Sequence, residues 1–105
     1  IKRNYRSLVD TLLTHGINVI MHAVTYPAEK DPAEQQFKVQ MTDSLDAFIH
    51  QLAREKGLPC IDLNPMLTEG KRLKADYARD NVHFTPAGYT IWAREVNRIL
   101  KEKNW

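Results

Sequence analysis

Asp80 and His83 stand three residues apart in Asp80-Asn81-Val82-His83-Phe84-Thr85-Pro86-Ala87-Gly88-Tyr89. A carboxylate that accepts from one ring nitrogen fixes an imidazole's tautomer and steadies the imidazolium, leaving the other nitrogen to take a proton from a nucleophile. The pair is therefore suited to be the acid–base half of a catalytic triad. Spacing alone does not decide this. With seven aspartates and four histidines in 105 residues, an Asp-x-x-His match arises by chance in roughly one such sequence in four. Two readings stay open on the residues alone. In one, His83 is a base and Asp80 its orienting carboxylate. In the other, Asp80 is a turn or capping residue beside an ordinary surface or core histidine.

The other reactive side chains offer less. Ser7 and Ser44 fall within helical patterns and lack a strand-to-helix elbow, so both read as helix-surface residues. Cys60 sits in a short apolar strand, where a free cysteine behaves as a small buried hydrophobe. As the sole cysteine it excludes an internal disulfide and a cysteine-rich metal site, and it fits any compartment. His15, His22 and His50 share no metal-ligand spacing with each other or with His83, so no metal is expected.

The elements that must position the pair can be read from periodicity. Residues 3–15 place Tyr5, Leu8, Val9, Leu12 and Leu13 on one helical stripe that ends at Gly16. Ile17 to Val24 is apolar almost throughout, which points to a strand covered on both faces in a parallel sheet. Asp31-Pro32-Ala33-Glu34 opens a second helix with a capping aspartate and a proline at the first helical position. Phe37, Met41, Leu45, Phe48, Ile49 and Leu52 form its apolar face, and Gly57 closes it. Pro59 to Leu63 makes a second parallel strand, completing a βαβ unit. A short helix around residues 65–67 and a turn around 73–77 follow. Thr85 caps a last helix opening at Pro86, with Tyr89, Trp92, Ala93, Val96, Ile99 and Leu100 as its buried stripe. In this order of elements, Asp80 and His83 lie at the carboxyl-end side of the sheet, where open α/β sheets hold their sites.

Composition bounds the function. The chain is 43% hydrophobic and 27% charged, as expected of one globular unit at most. A net charge of +2 with scattered lysines and arginines argues against a nucleic-acid or membrane-surface partner. No apolar run is long enough to span a bilayer. The start at Ile1-Lys2-Arg3, with no initiator Met or signal peptide, suggests a piece of something longer. Three amphipathic helices flank only two clear strands, too little sheet to cover them. Further strands are therefore expected from another segment or another copy.

The block from Asp80 to Tyr89 resembles the last motif of the SGNH hydrolases, the GDSL-type esterase/lipase family, and the order of elements upstream agrees. That resemblance implies a three-layer αβα, flavodoxin-like fold of which residues 1–105 form the C-terminal portion of one domain. It implies an ester hydrolase with His83 as general base and Asp80 as its partner, acting on O-acetylated carbohydrate or a short acyl ester without a cofactor. Asn81, Val82, Phe84 and Tyr26 would flank the substrate. The family's nucleophilic serine block and its oxyanion Gly and Asn blocks have no counterpart here. The expected partner is thus the N-terminal half of the same domain, as a separate chain or a further segment. A different class, a non-catalytic α/β binding module with a structural Asp–His pair, is the alternative.

Overall fold

The computed structural model describes residues 2–105. Helix α1 spans Lys2–Thr14, strand β1 Met21–His22, helix α2 Pro32–Lys56 and strand β2 Cys60–Ile61. A short helix α3 (Asn64–Leu67), a hairpin of β3 (Thr68–Glu69) and β4 (Arg72–Leu73), a 3₁₀ turn (Ala75–Tyr77) and helix α4 (Pro86–Glu102) complete the order.

Strands β1 and β2 pair in parallel, Met21 with Cys60 and His22 with Ile61. The crossover between them is α2, whose ends follow local chemistry. The Asp31 side chain accepts from the Ala33 N–H, Pro32 starts the helix, and Gly57 ends it at φ +65°. That left-handed conformation suits glycine because it has no β-carbon. The continuous apolar character of both strands has the expected cause. Val19, Met21 and Cys60 face a core built with α1 and α2, through Val9, Ile49, Leu52 and Ala53. Ile20 and Ile61 face a second core with Leu63, Leu67, Leu73 and Ile99, the last from α4. Helices thus cover both faces of the sheet, giving three αβα layers.

The paired strands are shorter than the apolar runs that announce them. Ile17 to Val24 reads as a strand, yet only Met21 and His22 meet a full partner, with bonding continued by Ala23 N–H to the Ile61 carbonyl at 2.8 Å. A ladder needs a neighbour, and among the described residues the parallel sheet has two strands. Ile17 and Val24 are 48% and 39% exposed accordingly.

Helix faces also shift. Phe37 and Met41 of α2 are 61% and 55% exposed, whereas Thr42, Asp46, Ile49 and Leu52 are buried. In α4 the core contacts are Ile91, Val96 and Ile99, whereas Tyr89, Trp92 and Ala93 are exposed. The antiparallel hairpin β3–β4, turning through Gly70 at φ +56°, follows the short helix expected around residues 65–67, where the sequence announced no strand.

Candidate active site

The site loop is built by short-range hydrogen bonds. Asp80 Oδ1 accepts the backbone N–H groups of Val82 at 2.9 Å and His83 at 2.7 Å. This turns the chain so that His83 folds back, and its Nδ1 meets Asp80 Oδ2 at 2.8 Å. The loop's base is closed by Arg79 N–H to the His83 carbonyl at 2.9 Å and an isolated bridge between Ala78 and Phe84. Thr85 then caps α4 and anchors it backwards, its hydroxyl donating to the Asp76 carbonyl at 2.8 Å.

Two backbone N–H groups and then the imidazole stabilise the ionised Asp80, bringing its carboxyl down to about 2. With Nδ1 on a carboxylate, the ring's lone pair belongs on Nε2, and Nε2 has no hydrogen-bond partner among the described residues. The His83 side chain is 63% exposed. A histidine held from one side and open on the other is arranged to exchange a proton with an approaching hydroxyl.

Beside the loop runs a groove of about 710 Å³. Val24, Thr25 and Pro27 form one wall, Phe37 and Met41 of α2 another, and Val82 reaches it from the site loop. Of the four residues expected around a substrate, Val82 alone lines this groove. Asn81 is bound to Glu29 through its amide at 2.8 Å. The Phe84 ring packs on the second core and lies 5.3 Å from the Tyr89 ring. The Tyr26 hydroxyl donates to Asp43, and this bond, with burial added, pushes the phenol up to about 12.

Of the remaining candidates, Ser44 alone lines the groove. Ser44 meets Lys2 Nζ at 3.4 Å, and Ser7 lies on the exposed side of α1; neither bonds His83. Burial raises the Cys60 thiol, the reverse of an activated nucleophile. His22 has both nitrogens engaged, with the Ala23 carbonyl at 2.6 Å and the Trp92 indole N–H at 3.0 Å. Among the described residues no three His, Cys, Asp or Glu side chains converge as metal ligands.

Three residues that matter were not singled out by the sequence. Asn64 joins the carboxyl ends of both strands: its amide donates to the Val24 carbonyl at 3.0 Å and accepts the Tyr26 N–H at 2.9 Å. Asp46, buried on α2, accepts the Val24 N–H at 2.7 Å. Glu29 is 6% exposed. A polar residue inside an apolar helical face was the available signal for Asp46. Glu29 sits in a loop and Asn64 opens the short α3, and neither carried one.

Comparison with known proteins decides the family. The model of the GDSL-like lipase/acylhydrolase family matches residues 1–91, a span that contains the whole site loop. The chain belongs to that family. A GDSL-like lipase from Bacteroides thetaiotaomicron superposes with TM-score 0.78 at 27% identity, over 97% of this chain and 51% of its own. A Bacteroides fragilis protein superposes with TM-score 0.80 at 24% identity, over 97% of this chain and 50% of its own. The esterase domain of the ORF1 protein of the zebrafish ZfL2-1 retrotransposon shares the fold too, with TM-score 0.72 at 18% identity, over 95% of this chain and 60% of that one. No curated protein matches at a significant level. This GDSL-family chain has the αβα fold of such hydrolases and spans about half the length of the two Bacteroides structures.

Proposed function

We propose that residues 2–105 form the base-bearing half of a serine ester hydrolase, with His83 as general base and Asp80 as its orienting carboxylate. The observation that carries this reading is the pair itself: Nδ1 is held at 2.8 Å by Asp80, while the ring is 63% exposed and Nε2 has no partner among the described residues. His83 Nε2 takes the proton of a serine hydroxyl as the oxygen attacks the ester carbonyl. The imidazolium then returns that proton to the leaving alkoxide, and the alcohol departs. In the second half His83 deprotonates water, which attacks the acyl-serine and releases the acid and the free serine.

The serine and the oxyanion donors come from outside these residues in this reading. Two features support a complementary half of the domain, carried by a further segment or a separate chain. The two-stranded sheet leaves one edge of β1 without a neighbour among the described residues. Phe37, Met41, Leu8 and Ile17 leave apolar surface that a larger αβα sandwich would cover. The substrate is a small carboxylic ester, a short acyl ester or an O-acetylated sugar, with its apolar part towards Val82.

The test is hydrolysis of p-nitrophenyl acetate by the natural full-length product. Substituting His83→Ala should lower kcat by about 10⁶-fold, as losing the histidine of such a triad does. Unchanged turnover would instead favour a non-catalytic module, in which Asp80 serves only to fold the loop through the Val82 and His83 N–H groups.

A further inference from the structure

Asp80 orients His83 within the loop, but it does not tell the loop where to stand. Every hydrogen bond of Asp80, Val82 and His83 closes inside residues 79–83. Asn81 is the exception. Its side-chain amide donates to Glu29 Oε2 at 2.8 Å, and its carbonyl accepts the Ala28 N–H at 2.9 Å. Among the described residues, these two bonds are the polar tether between the site loop and the segment that leaves β1.

Glu29 is built for that task. It is buried, at 6% exposure, while the Asp80 and His83 side chains are 53% and 63% exposed. Its second carboxylate oxygen accepts from Lys38 of α2. Its N–H donates to Gln35 Oε1 at 2.7 Å, and its carbonyl accepts from Arg72 at 2.9 Å. A buried carboxylate met by two donors, on a residue whose N–H and carbonyl are both bonded, keeps one place and one direction.

We propose that Glu29 is a positioning residue for the base: through Asn81 it sets where His83 Nε2 stands relative to the groove and the strand ends. The proposal rests on the reading of His83 as the base. Its physical basis is that an exposed five-residue loop has many low-energy placements, and a charge-assisted bond to a buried group selects one of them.

The test is a reciprocal exchange in the natural full-length product. Asn81→Asp puts two carboxylates where one donor met one acceptor, so the loop is pushed outward. Displacements of that order cost kcat about 100-fold with KM changed little. Adding Glu29→Gln supplies an amide donor for the new carboxylate, and the double variant should recover to within about fivefold of the parent, the non-additivity expected of residues in contact. The His83 ring signals in ¹H–¹⁵N spectra should move in Asn81→Asp and return in the double variant. Melting temperatures separate positioning from folding. If the double variant regains stability but neither kcat nor the His83 signals, Glu29 is only structural and the proposal fails. If Asn81→Asp turns over like the parent while His83→Ala is inactive, the tether is irrelevant and the base assignment stands. Parent-like turnover in His83→Ala overturns both.

Discussion

The Asp80 carboxylate holds His83 by its backbone and its ring at once, Oδ1 on the N–H at 2.7 Å and Oδ2 on Nδ1 at 2.8 Å. One group therefore sets both the path of the chain and the tautomer of the imidazole. In Asp80→Asn the remaining oxygen is claimed by the two backbone N–H groups, and the amide N–H₂ turns towards Nδ1. The ring then carries its proton on Nε2, the wrong nitrogen for a base. The expected loss is about 10⁴-fold in kcat with a folded protein, as for the corresponding change in a serine protease triad. Steady-state hydrolysis of p-nitrophenyl acetate with parallel circular dichroism checks it.

The same carboxylate makes a pH prediction. Its folded value of about 2 lies below the ordinary 3.8. A carboxyl lowered by folding stabilises the loop fully above its unfolded value, and this is lost as pH falls through the folded one. Between pH 3.8 and 2 the contribution should fade, and at pH 5 it should be whole. A ¹³C titration of the Asp80 carboxyl should show a midpoint near 2; a midpoint at 3.8 would mean that the two N–H groups are not held as described.

Helix α4 bears on the loop through a glycine. A β-carbon at Gly88 would lie 2.9 Å from Phe84 Cβ and 3.5 Å from Tyr77 Cβ. Real contacts do not come so close, so Gly88→Ala must push Phe84, the neighbour of His83. Overpacking of this kind costs about 1–3 kcal/mol. Chemical denaturation should report that loss, and activity should fall further than stability because the displaced residue adjoins His83, the proposed base.

Asp46 and Asn64 predict a different outcome. Removing the acceptor with Asp46→Ala strands the Val24 N–H and loosens Asn64, whose amide lies 3.3 Å from Asp46 Oδ2. Losing a partly buried hydrogen-bonded partner costs about 1–3 kcal/mol. The Val24–Pro27 wall of the groove should exchange its amide hydrogens faster, while the Asp80–His83 bond, which shares no partner with Asp46, should be unaffected.

Buried side chains beneath the loop set the scale for these effects. Leu63 and Leu67 are 0% exposed and lie in the core shared by α3, the hairpin and α4. Leu63→Ala or Leu67→Ala should cost about 2–5 kcal/mol, the range for leucine truncation in a packed core. Urea unfolding measures it, and a loss under 1 kcal/mol would indicate a looser core than these exposures imply.

Much of this molecule is local and was therefore legible in the sequence. Asp31-Pro32, Gly57 and Thr85-Pro86 bound their helices through side chains and backbone angles within a few residues. The nearly continuous apolar runs in residues 17–24 and 59–63 announced a sheet covered on both faces. The Asp80–His83 contact also belongs here, because three residues and a turn suffice to make it. Tertiary structure alone decided what depends on distant partners. Strand length required a neighbour across the sheet, and the exposure of Phe37, Met41 and Trp92 depended on what lies opposite each helix. The hairpin at 68–73 is too short to show a period. Above all, the placement of the site loop hangs on Glu29, 52 residues from Asn81 in the chain. Spacing in a sequence can pair a carboxylate with an imidazole three residues on. It holds no trace of a buried charge that meets the loop only after the sheet has formed.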